Sequence, residues 1–337
     1  MKYTNRNGKQ LSNMTLGTAQ IGMNYGVANQ HGKPSDEESY RMFESALSGG
    51  VTSIDTARYY GNSETRMGGF FKSPFFRGDL PFITTKFRIG LKRPRSGGGV
   101  LLSESELRAM RQECEDLGPG LEKRVFENIE QSLTNLNLKK VNCVLLHDPI
   151  EMMAGGALLS KAMGKLVTAG YTDEVGASVY FPEEVDFMCS LDEYSATQMP
   201  CSLFDQKMIR SGALKKLKEK GFVVFIRSVF LQGVFFLDPD TLEDPLLIEH
   251  AAPHIRKIRE LALDEGVSIA QLAISFVRDS YGVTSLVLGC DTEEQLKENI
   301  KLMEGPSVSE KTMEIVRESF SDIPYEEIMT VLRREKD

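Results

Sequence analysis

Four polar side chains of this 337-residue chain have the types needed for acid-base chemistry on a carbonyl group. Asp55 and Tyr60 stand five residues apart in the stretch SIDTARYYGNSE, Lys86 follows in TTKF, and His147 follows the apolar run VLL. An acid, a phenol, an amine and an imidazole can hold, donate and accept protons. Together they could protonate a carbonyl oxygen while a cofactor supplies hydride, so the set indicates carbonyl reduction.

A division of roles among the four groups follows from their pKa values. A free phenol has a pKa of about 10, which makes it a weak acid near neutral pH. A neighbouring ammonium favours the phenolate, so Lys86 is expected to lower the pKa of Tyr60 if the two side chains touch. Asp55 would hold that ammonium charged, and His147 would orient the substrate oxygen. Each residue taken singly also fits a cap, core packing or the surface, and only their joint placement favours catalysis.

The elements that must position these groups alternate between short apolar runs and amphipathic helical segments. This alternation predicts parallel strands joined by helices. The predicted strands are residues 14–17, 52–55, 82–85, 142–147, 174–178, 196–200, 222–227 and 284–289. Eight such units, with no GxGxxG after the first strand, favour an α/β fold of the (β/α)₈ TIM barrel type over an open doubly wound sheet. All four groups then fall at or just beyond the strands' carboxyl ends, where such barrels place their active sites.

A single domain spanning residues 1–337 is predicted, with two segments beyond a minimal barrel. Residues 87–120 are basic and glycine-rich in their first part and are predicted to form an inserted loop on the active face, either a substrate lid or a surface insertion. Residues 305–337 are predicted to form two extra helices separated by Pro324. The basic side chains of the first segment favour a sugar or an acidic carbonyl compound as substrate: Arg88, Lys92, Arg93 and Arg95.

Composition excludes several other classes of protein. The chain is 41% hydrophobic and 26% charged, which suits a folded domain rather than a disordered one. Its net charge of −8, without a dense basic patch, argues against nucleic acid as a partner. Neither a signal-peptide core nor a membrane span is evident, so a cytoplasmic protein is expected. Five scattered cysteines without a CxxC pair favour reduced, buried thiols, and the oligomeric state stays open.

The chain resembles the aldo-keto reductase family from LGTAQIG near the amino end to ENI near residue 300. The segment GVTSIDTARYYGNSETRMG carries the most specific part of the likeness. The family's Asp, Tyr, Lys and His tetrad matches Asp55, Tyr60, Lys86 and His147. The resemblance implies reduction of an aldehyde or ketone to an alcohol, with NADP(H) preferred and NAD(H) as the second cofactor. The cofactor would lie extended across the carboxyl face of the barrel.

The resemblance also assigns the cofactor contacts. Val179 follows the expected serine where most members have asparagine, and Arg227 stands where many members place an aromatic ring against the nicotinamide. Strict NADPH users often carry Lys and Arg in the phrase that here reads GCDTEEQLKEN. The assigned residues are Gly17, Thr18, Ser178, Gln198, Arg227, Ser228, Phe230, Gln232, Gly233, Gly289, Gln295 and Asn299.

Two other functions remain open from the sequence. His250 and His254 are spaced as metal ligands on one helical face would be, which would suit a metal-dependent barrel hydrolase, although Pro253 lies between them. The reductase reading itself requires no metal. The second alternative is a non-catalytic redox sensor or regulatory subunit that binds a nicotinamide cofactor, which an intact tetrad does not exclude.

Overall fold

The computed structural model describes residues 1–25, 32–92 and 102–334. Eight parallel strands follow one another in chain order, and the last pairs with the first, which closes the predicted (β/α)₈ barrel. Two short strands precede the barrel as an antiparallel hairpin, β1 (Tyr3–Arg6) and β2 (Lys9–Ser12). The barrel strands are β3 (Met14–Gly17), β4 (Ser53–Asp55), β5 (Phe82–Phe87), β6 (Cys143–Leu146), β7 (Glu174–Ser178), β8 (Ala196–Pro200), β9 (Val223–Arg227) and β10 (Ser285–Gly289).

Helices surround the strands, and a 3₁₀ turn covers Leu231–Phe236. Their sequences begin and end with recognisable caps. In α2, for example, Ser35 and Glu38 form a capping box, and Met42, Phe43 and Ala46 face the core. The helices are α1 (Ala19–Gly22), α2 (Asp36–Ser48), α3 (Ser63–Lys72), α4 (Glu104–Leu117), α5 (Pro119–Leu136), α6 (Pro149–Thr168), α7 (Pro182–Met188), α8 (Lys207–Arg210), α9 (Ala213–Glu219), α10 (Pro245–His250), α11 (Ala252–Glu265), α12 (Ile269–Arg278), α13 (Glu293–Glu304), α14 (Glu310–Ser319) and α15 (Tyr325–Arg334).

The amino end of the barrel is closed by the hairpin, which the sequence did not predict. Arg6 donates to Glu174 Oε1 through Nε at 3.1 Å and Nη2 at 2.8 Å, and Asn7 donates to the same oxygen at 2.9 Å. Next to this hairpin, the interior of the barrel holds a small cluster of apolar side chains. Both features fill the amino-terminal half of the barrel and leave the loops after the strands' carboxyl ends to form the active face.

The segment 87–120 differs from the expected loop. Its second part is the regular helix α4, which begins at a Ser103–Glu106 capping box and buries Met110 and Cys114. The chain just after β5 is tied down as well, because the Glu151 carboxylate accepts backbone N–H bonds from Ile89, Gly90 and Leu91 at 2.8, 2.8 and 3.1 Å. Residues 93–101, with Arg93 and Arg95, lie outside the described part, so closure over the active face stays a prediction.

The carboxyl end forms two helices, α14 and α15, with Pro324 between them. The ring of Tyr325 lies 4.4 Å from Lys207 Nζ, which brings the start of α15 against the start of α8. All five cysteines are buried free thiols. Within the described ranges, no helix combines the length and the apolar composition that crossing a bilayer requires.

Candidate active site

A buried ion pair at the carboxyl ends of β4 and β5 forms the base of the site. Lys86 Nζ lies 2.6 Å and 2.7 Å from the two carboxylate oxygens of Asp55 and donates a third bond to Thr56 O at 3.0 Å. Gln198 Nε2, from β8, donates to Asp55 Oδ1 at 2.8 Å. The Lys86 and Asp55 side chains are 1% and 2% exposed. All three N–H groups of the ammonium are therefore used within the protein.

Tyr60 lies in the loop after β4, and a close backbone approach fixes its place. A Cβ at Gly22 would come within 1.7 Å of Tyr60 O, so only glycine lets α1 meet this loop. Lys86 Nζ is 5.0 Å from the centroid of the Tyr60 ring. The His147 ring meets it edge-on, with centroids 5.7 Å apart and planes at 84°. Tyr60, Lys86 and His147 are thus mutual neighbours.

The expected effect of Lys86 on the phenol is wrong for this structure. The pKa of Tyr60 is raised well above its usual 10, first by burial and then by the negative charge of Asp55. The Lys86 ammonium, whose three hydrogens point to Asp55 and Thr56, does not reverse the direction of this shift. Burial also lowers the pKa of Lys86, against the pull of Asp55. The phenol consequently keeps its proton at neutral pH.

His147 is held neutral by its surroundings. Burial, followed by the positive charges of Lys86, Arg88 and Arg227, lowers the pKa of His147 to about 3. Its Nδ1 is buried without a hydrogen-bond partner in the described part of the chain. A neutral imidazole has one N–H to donate and one lone pair to accept, so His147 can bind an oxygen without carrying charge.

A cleft of about 440 Å³ opens beside this group, and Asp55 and Tyr60 form part of its wall. It runs past the ends of β3, β9 and β10 to the start of α13. Every residue expected to contact the cofactor lines this cleft except Ser178. Ser178 is 2% exposed and lies beside Gln198 in the register of β7 and β8, so it stands behind the wall.

The loop after β9 has features that fit a polar ligand. Three of its residues adopt a left-handed backbone without being glycine, with φ of 62° at Ser228, 48° at Leu231 and 56° at Gln232. Such conformations cost on the order of 1 kcal/mol each and cluster at ligand sites. Gln232 Oε1 and Arg227 Nη2 are buried with no partner among the described residues. Orphaned polar atoms facing a cleft are what a nicotinamide dinucleotide could satisfy.

A glycine at the end of β10 keeps the cleft open. A Cβ at Gly289 would come within 2.4 Å of the side chain of Gln20, which also lines the cleft. Gln20, Tyr25 and Phe236 belong to the wall but were missed by the sequence analysis. The phrase TAQ directly after the first strand could have indicated Gln20, whereas nothing in the local pattern points to Tyr25 or Phe236.

A model of the Aldo/keto reductase family matches residues 13–320. The chain belongs to this family. Among its relatives, it is 23% identical to the L-glyceraldehyde 3-phosphate reductase of Escherichia coli, over 95% of this chain and 92% of that protein. It is likewise 23% identical to a putative voltage-gated potassium channel subunit beta of Schizosaccharomyces pombe, over 96% and 95%. A glycerol dehydrogenase from Gluconobacter oxydans shares the fold, with a TM-score of 0.68 and 21% identity over 91% of each chain.

The histidine pair of the rival hydrolase reading lies away from this site. His254 packs edge-on against Phe204 and Phe320, with ring centroids 5.8 and 6.0 Å apart. In the ranges that the structure covers, no group of three or more His, Cys, Asp and Glu side chains is placed to hold a metal ion. The position of His254 is therefore explained by aromatic packing.

The lowered pKa of His147 makes stability depend on pH. Between pH 6.5 and about 3, His147 binds a proton in the unfolded chain but not in the folded protein. The contribution of the neutral imidazole to the unfolding free energy is therefore complete above pH 6.5 and is lost as the pH falls. Between pH 7 and pH 4.5 the wild type should lose about 2–3 kcal/mol more unfolding free energy than His147→Asn. Urea denaturation of both proteins at the two pH values measures this difference, and equal losses would contradict the buried neutral imidazole.

Proposed function

We propose that this protein reduces an aldehyde or ketone to an alcohol with a nicotinamide cofactor. The observation that carries the proposal is the meeting of three groups at one edge of the cleft. Tyr60, a phenol that retains its proton, has the Lys86 ammonium 5.0 Å from its ring centroid and the ring of neutral His147 5.7 Å away. Family membership independently supports carbonyl reduction.

The cofactor would be held by the residues that line the cleft. Bound there, NADP(H) or NAD(H) would supply hydride to the carbonyl carbon. Gly17 and Thr18 lie at the end of β3, Ser228 to Gly233 in the loop after β9, and Gly289 to Asn299 along the last barrel strand and α13. Gln198 is placed to bind a carboxamide, although one of its N–H groups is already given to Asp55.

The protein's own groups would control the proton. Tyr60 would donate its phenolic proton to the developing alkoxide, and the N–H of His147 would donate a hydrogen bond to the same oxygen. The phenolate left behind would lie beside the Lys86 ammonium, whose charge favours it. Because the raised pKa keeps the proton on Tyr60 at neutral pH, the ligand-free site suits reduction better than oxidation of an alcohol.

A small polar carbonyl compound, such as a sugar, fits as substrate. The chain contains no tryptophan, so no indole wall surrounds the cleft. One relative is named for reduction of L-glyceraldehyde 3-phosphate, which is a small polar aldehyde, and this name supports the same substrate class.

A cofactor-binding redox sensor is the second candidate. Its support is the likeness to proteins named as voltage-gated potassium channel beta subunits, one from Oryza sativa and one from Schizosaccharomyces pombe. A sensor would bind the cofactor in the same cleft but would not turn over a carbonyl. Turnover of any aldehyde at a rate that depends on Tyr60 favours the reductase.

Removal of the Tyr60 hydroxyl tests the proposed proton donor. Tyr60→Phe removes the hydroxyl but keeps the packing of the ring. It should lower kcat for aldehyde reduction by about two to four orders of magnitude, the scale of one lost general acid. The cofactor dissociation constant should change less than about threefold, since the phenol is assigned to the substrate oxygen. Cofactor oxidation followed by absorbance gives the rate, and nicotinamide fluorescence gives the affinity.

Tyr281→Phe is the matched control, because the same hydroxyl is removed from a side chain that is 66% exposed. A Tyr60→Phe enzyme as fast as this control would refute Tyr60 as the acid. Loss of cofactor binding in Tyr60→Phe would instead assign the phenol to the cofactor site.

Cofactor choice is the finer part of the proposal. Family resemblance supports NADP(H) as the preferred cofactor. The charge of the cleft lining supports NAD(H), which is the second candidate. Arg227 is the only Lys or Arg that lines the cleft in the described part of the chain, and the end formed by Gly289 to Asn299 carries Asp291 and Glu298 instead. A 2′-phosphate at that end would meet two carboxylates and no partner cation.

The dissociation constants of NADPH and NADH should therefore differ by no more than about tenfold, because the free energy of one charge-assisted hydrogen bond changes a dissociation constant by about that factor. Gln295→Arg should shift the ratio towards NADPH by about tenfold, because it adds a cation to this end. Gln131→Arg, the same change on the exposed face of α5, should leave the ratio unaltered. A wild-type preference for NADPH above a hundredfold would contradict this description of the lining.

A further inference from the structure

Arg227 stands out because this half-buried cation has no anionic partner among the described residues. It ends β9 and lines the cleft together with Tyr60 and Asp55. Its guanidinium stacks on the ring of Tyr180, with Cζ 4.6 Å from the ring centroid. Nη1 reaches only Ser228 Oγ at a long 3.4 Å, and Nη2 is buried without a partner in the described part of the chain.

The groups around Arg227 do not neutralise it. The side chains that interact with it electrostatically include four tyrosines, Tyr25, Tyr60, Tyr180 and Tyr325. Burial raises the pKa of Tyr25, Tyr60 and Tyr325 above the usual 10, so these three phenols carry no charge at neutral pH. Two carboxylates lie near this part of the cleft, and each already has a cation. Asp55 is bound to Lys86 at 2.6 Å, and Asp205 is bound to Lys207 at 2.9 Å.

The local sum of charges is consequently positive. The charges within the Asp55–Lys86 and Asp205–Lys207 pairs cancel, and His147 is neutral. Among the described residues, the Arg227 guanidinium therefore has no counter-charge and keeps an N–H group without a hydrogen-bond partner. Leaving such a donor buried and unpaired costs free energy, which proteins accept where a ligand completes the site. A guanidinium is also the side chain that best matches the planar oxygens of a carboxylate or the oxygens of a phosphate.

We propose that Arg227 forms an anion subsite, so that the substrate is a carbonyl compound carrying a carboxylate or phosphate, with the anionic oxygens on the guanidinium and the carbonyl oxygen at Tyr60. This inference rests on the proposed function and narrows its substrate class. It differs from the role that the family resemblance gives this position, which is stacking against the nicotinamide. It also assigns the anion to a half-buried, cleft-lining arginine rather than to the basic segment that begins with Arg88.

Pairs of aldehydes that differ only in charge test the subsite. With the cofactor saturating, kcat/KM for 4-oxobutanoate should exceed that for 4-oxobutanamide by about 10- to 100-fold, the scale of a charge-assisted hydrogen bond. Glyceraldehyde 3-phosphate against glyceraldehyde forms the second arm and tells whether phosphate or carboxylate is preferred. Arg227→Gln should bring both ratios to within about threefold of one, and Arg227→Lys should retain part of the larger ratio.

Ratios are the readout because any effect of the variant on cofactor binding or on protein stability cancels between the two substrates. Arg88→Gln is the control, since Arg88 is an exposed cation that contacts the Tyr59 ring and does not line the cleft. Its ratio should stay within about threefold of wild type. If Arg88→Gln removes the selectivity and Arg227→Gln keeps it, the anion is bound by the basic segment and the proposal is overturned.

The remaining outcomes also decide the question. A wild-type enzyme that reduces neutral and anionic aldehydes equally well would refute the subsite but leave the proposed function standing. If Arg227→Gln weakens cofactor affinity without altering the ratios, the arginine serves the cofactor. If no carbonyl is reduced, the proposed function fails, and calorimetry of the cofactor complex with 4-oxobutanoate and 4-oxobutanamide still shows whether Arg227 selects the charged compound.

Discussion

The buried ion pair between Asp55 and Lys86 is the interaction on which the site depends. Two charges that are almost fully removed from water would be costly apart, and they are tolerated because the ammonium places all three hydrogens on Asp55 and Thr56. Gln198 extends the network across the barrel to β8 by donating to Asp55. The network therefore joins β4 and β5 to β8 on the opposite side of the barrel. It also sets the electrostatic environment of Tyr60 and His147.

That charge distribution gives the neighbouring groups their protonation states. Burial, followed by the Asp55 carboxylate, keeps the proton on Tyr60, and burial, followed by the charges of Lys86, Arg88 and Arg227, keeps a proton off His147. A neutral acid, Tyr60, thus lines the cleft, with the neutral ring of His147 packed against it and the Asp55–Lys86 ion pair beside it. Such an arrangement can donate to a carbonyl oxygen without first changing its own charge. It also leaves Arg227 as the one cleft-lining cation without a counter-charge in the described part of the chain.

Much of the fold could be predicted because its signals are local. The barrel strands contain short buried runs such as CVLL at Cys143–Leu146, and helix α2 carries its own capping box, so period and caps identified both. The hairpin at β1 and β2 was missed because its strands are only four residues long and β1 is exposed at three of its four residues. Helix α4 was taken as part of a loop because the glycine-rich stretch before it dominated the composition, although ESELRAMRQECEDL has a helical period.

The sequence indicated which side chains could meet at the site but not the electrostatics of that meeting. The spacing of Asp55, Tyr60, Lys86 and His147 indicates that they could meet. Which atoms the Lys86 hydrogens would reach depends on three-dimensional packing, so the direction of the Tyr60 pKa was wrong. Tyr25 and Phe236 reach the cleft from loops that carry no periodic signal. The unpaired state of Arg227 is a property of its surroundings, and a sequence cannot report which neighbours are already bound to one another.

The central claim is that Tyr60 donates the proton and that Lys86, which is bound to Asp55, acts through Tyr60. A double-mutant cycle of kcat with Lys86→Met, Tyr60→Phe and the combined variant tests it most directly. If Lys86 acts through Tyr60, the combined variant should be no more than about threefold slower than the slower single variant. If the two losses multiply instead, the residues contribute independently, and the account of a shared proton-donating site would be contradicted.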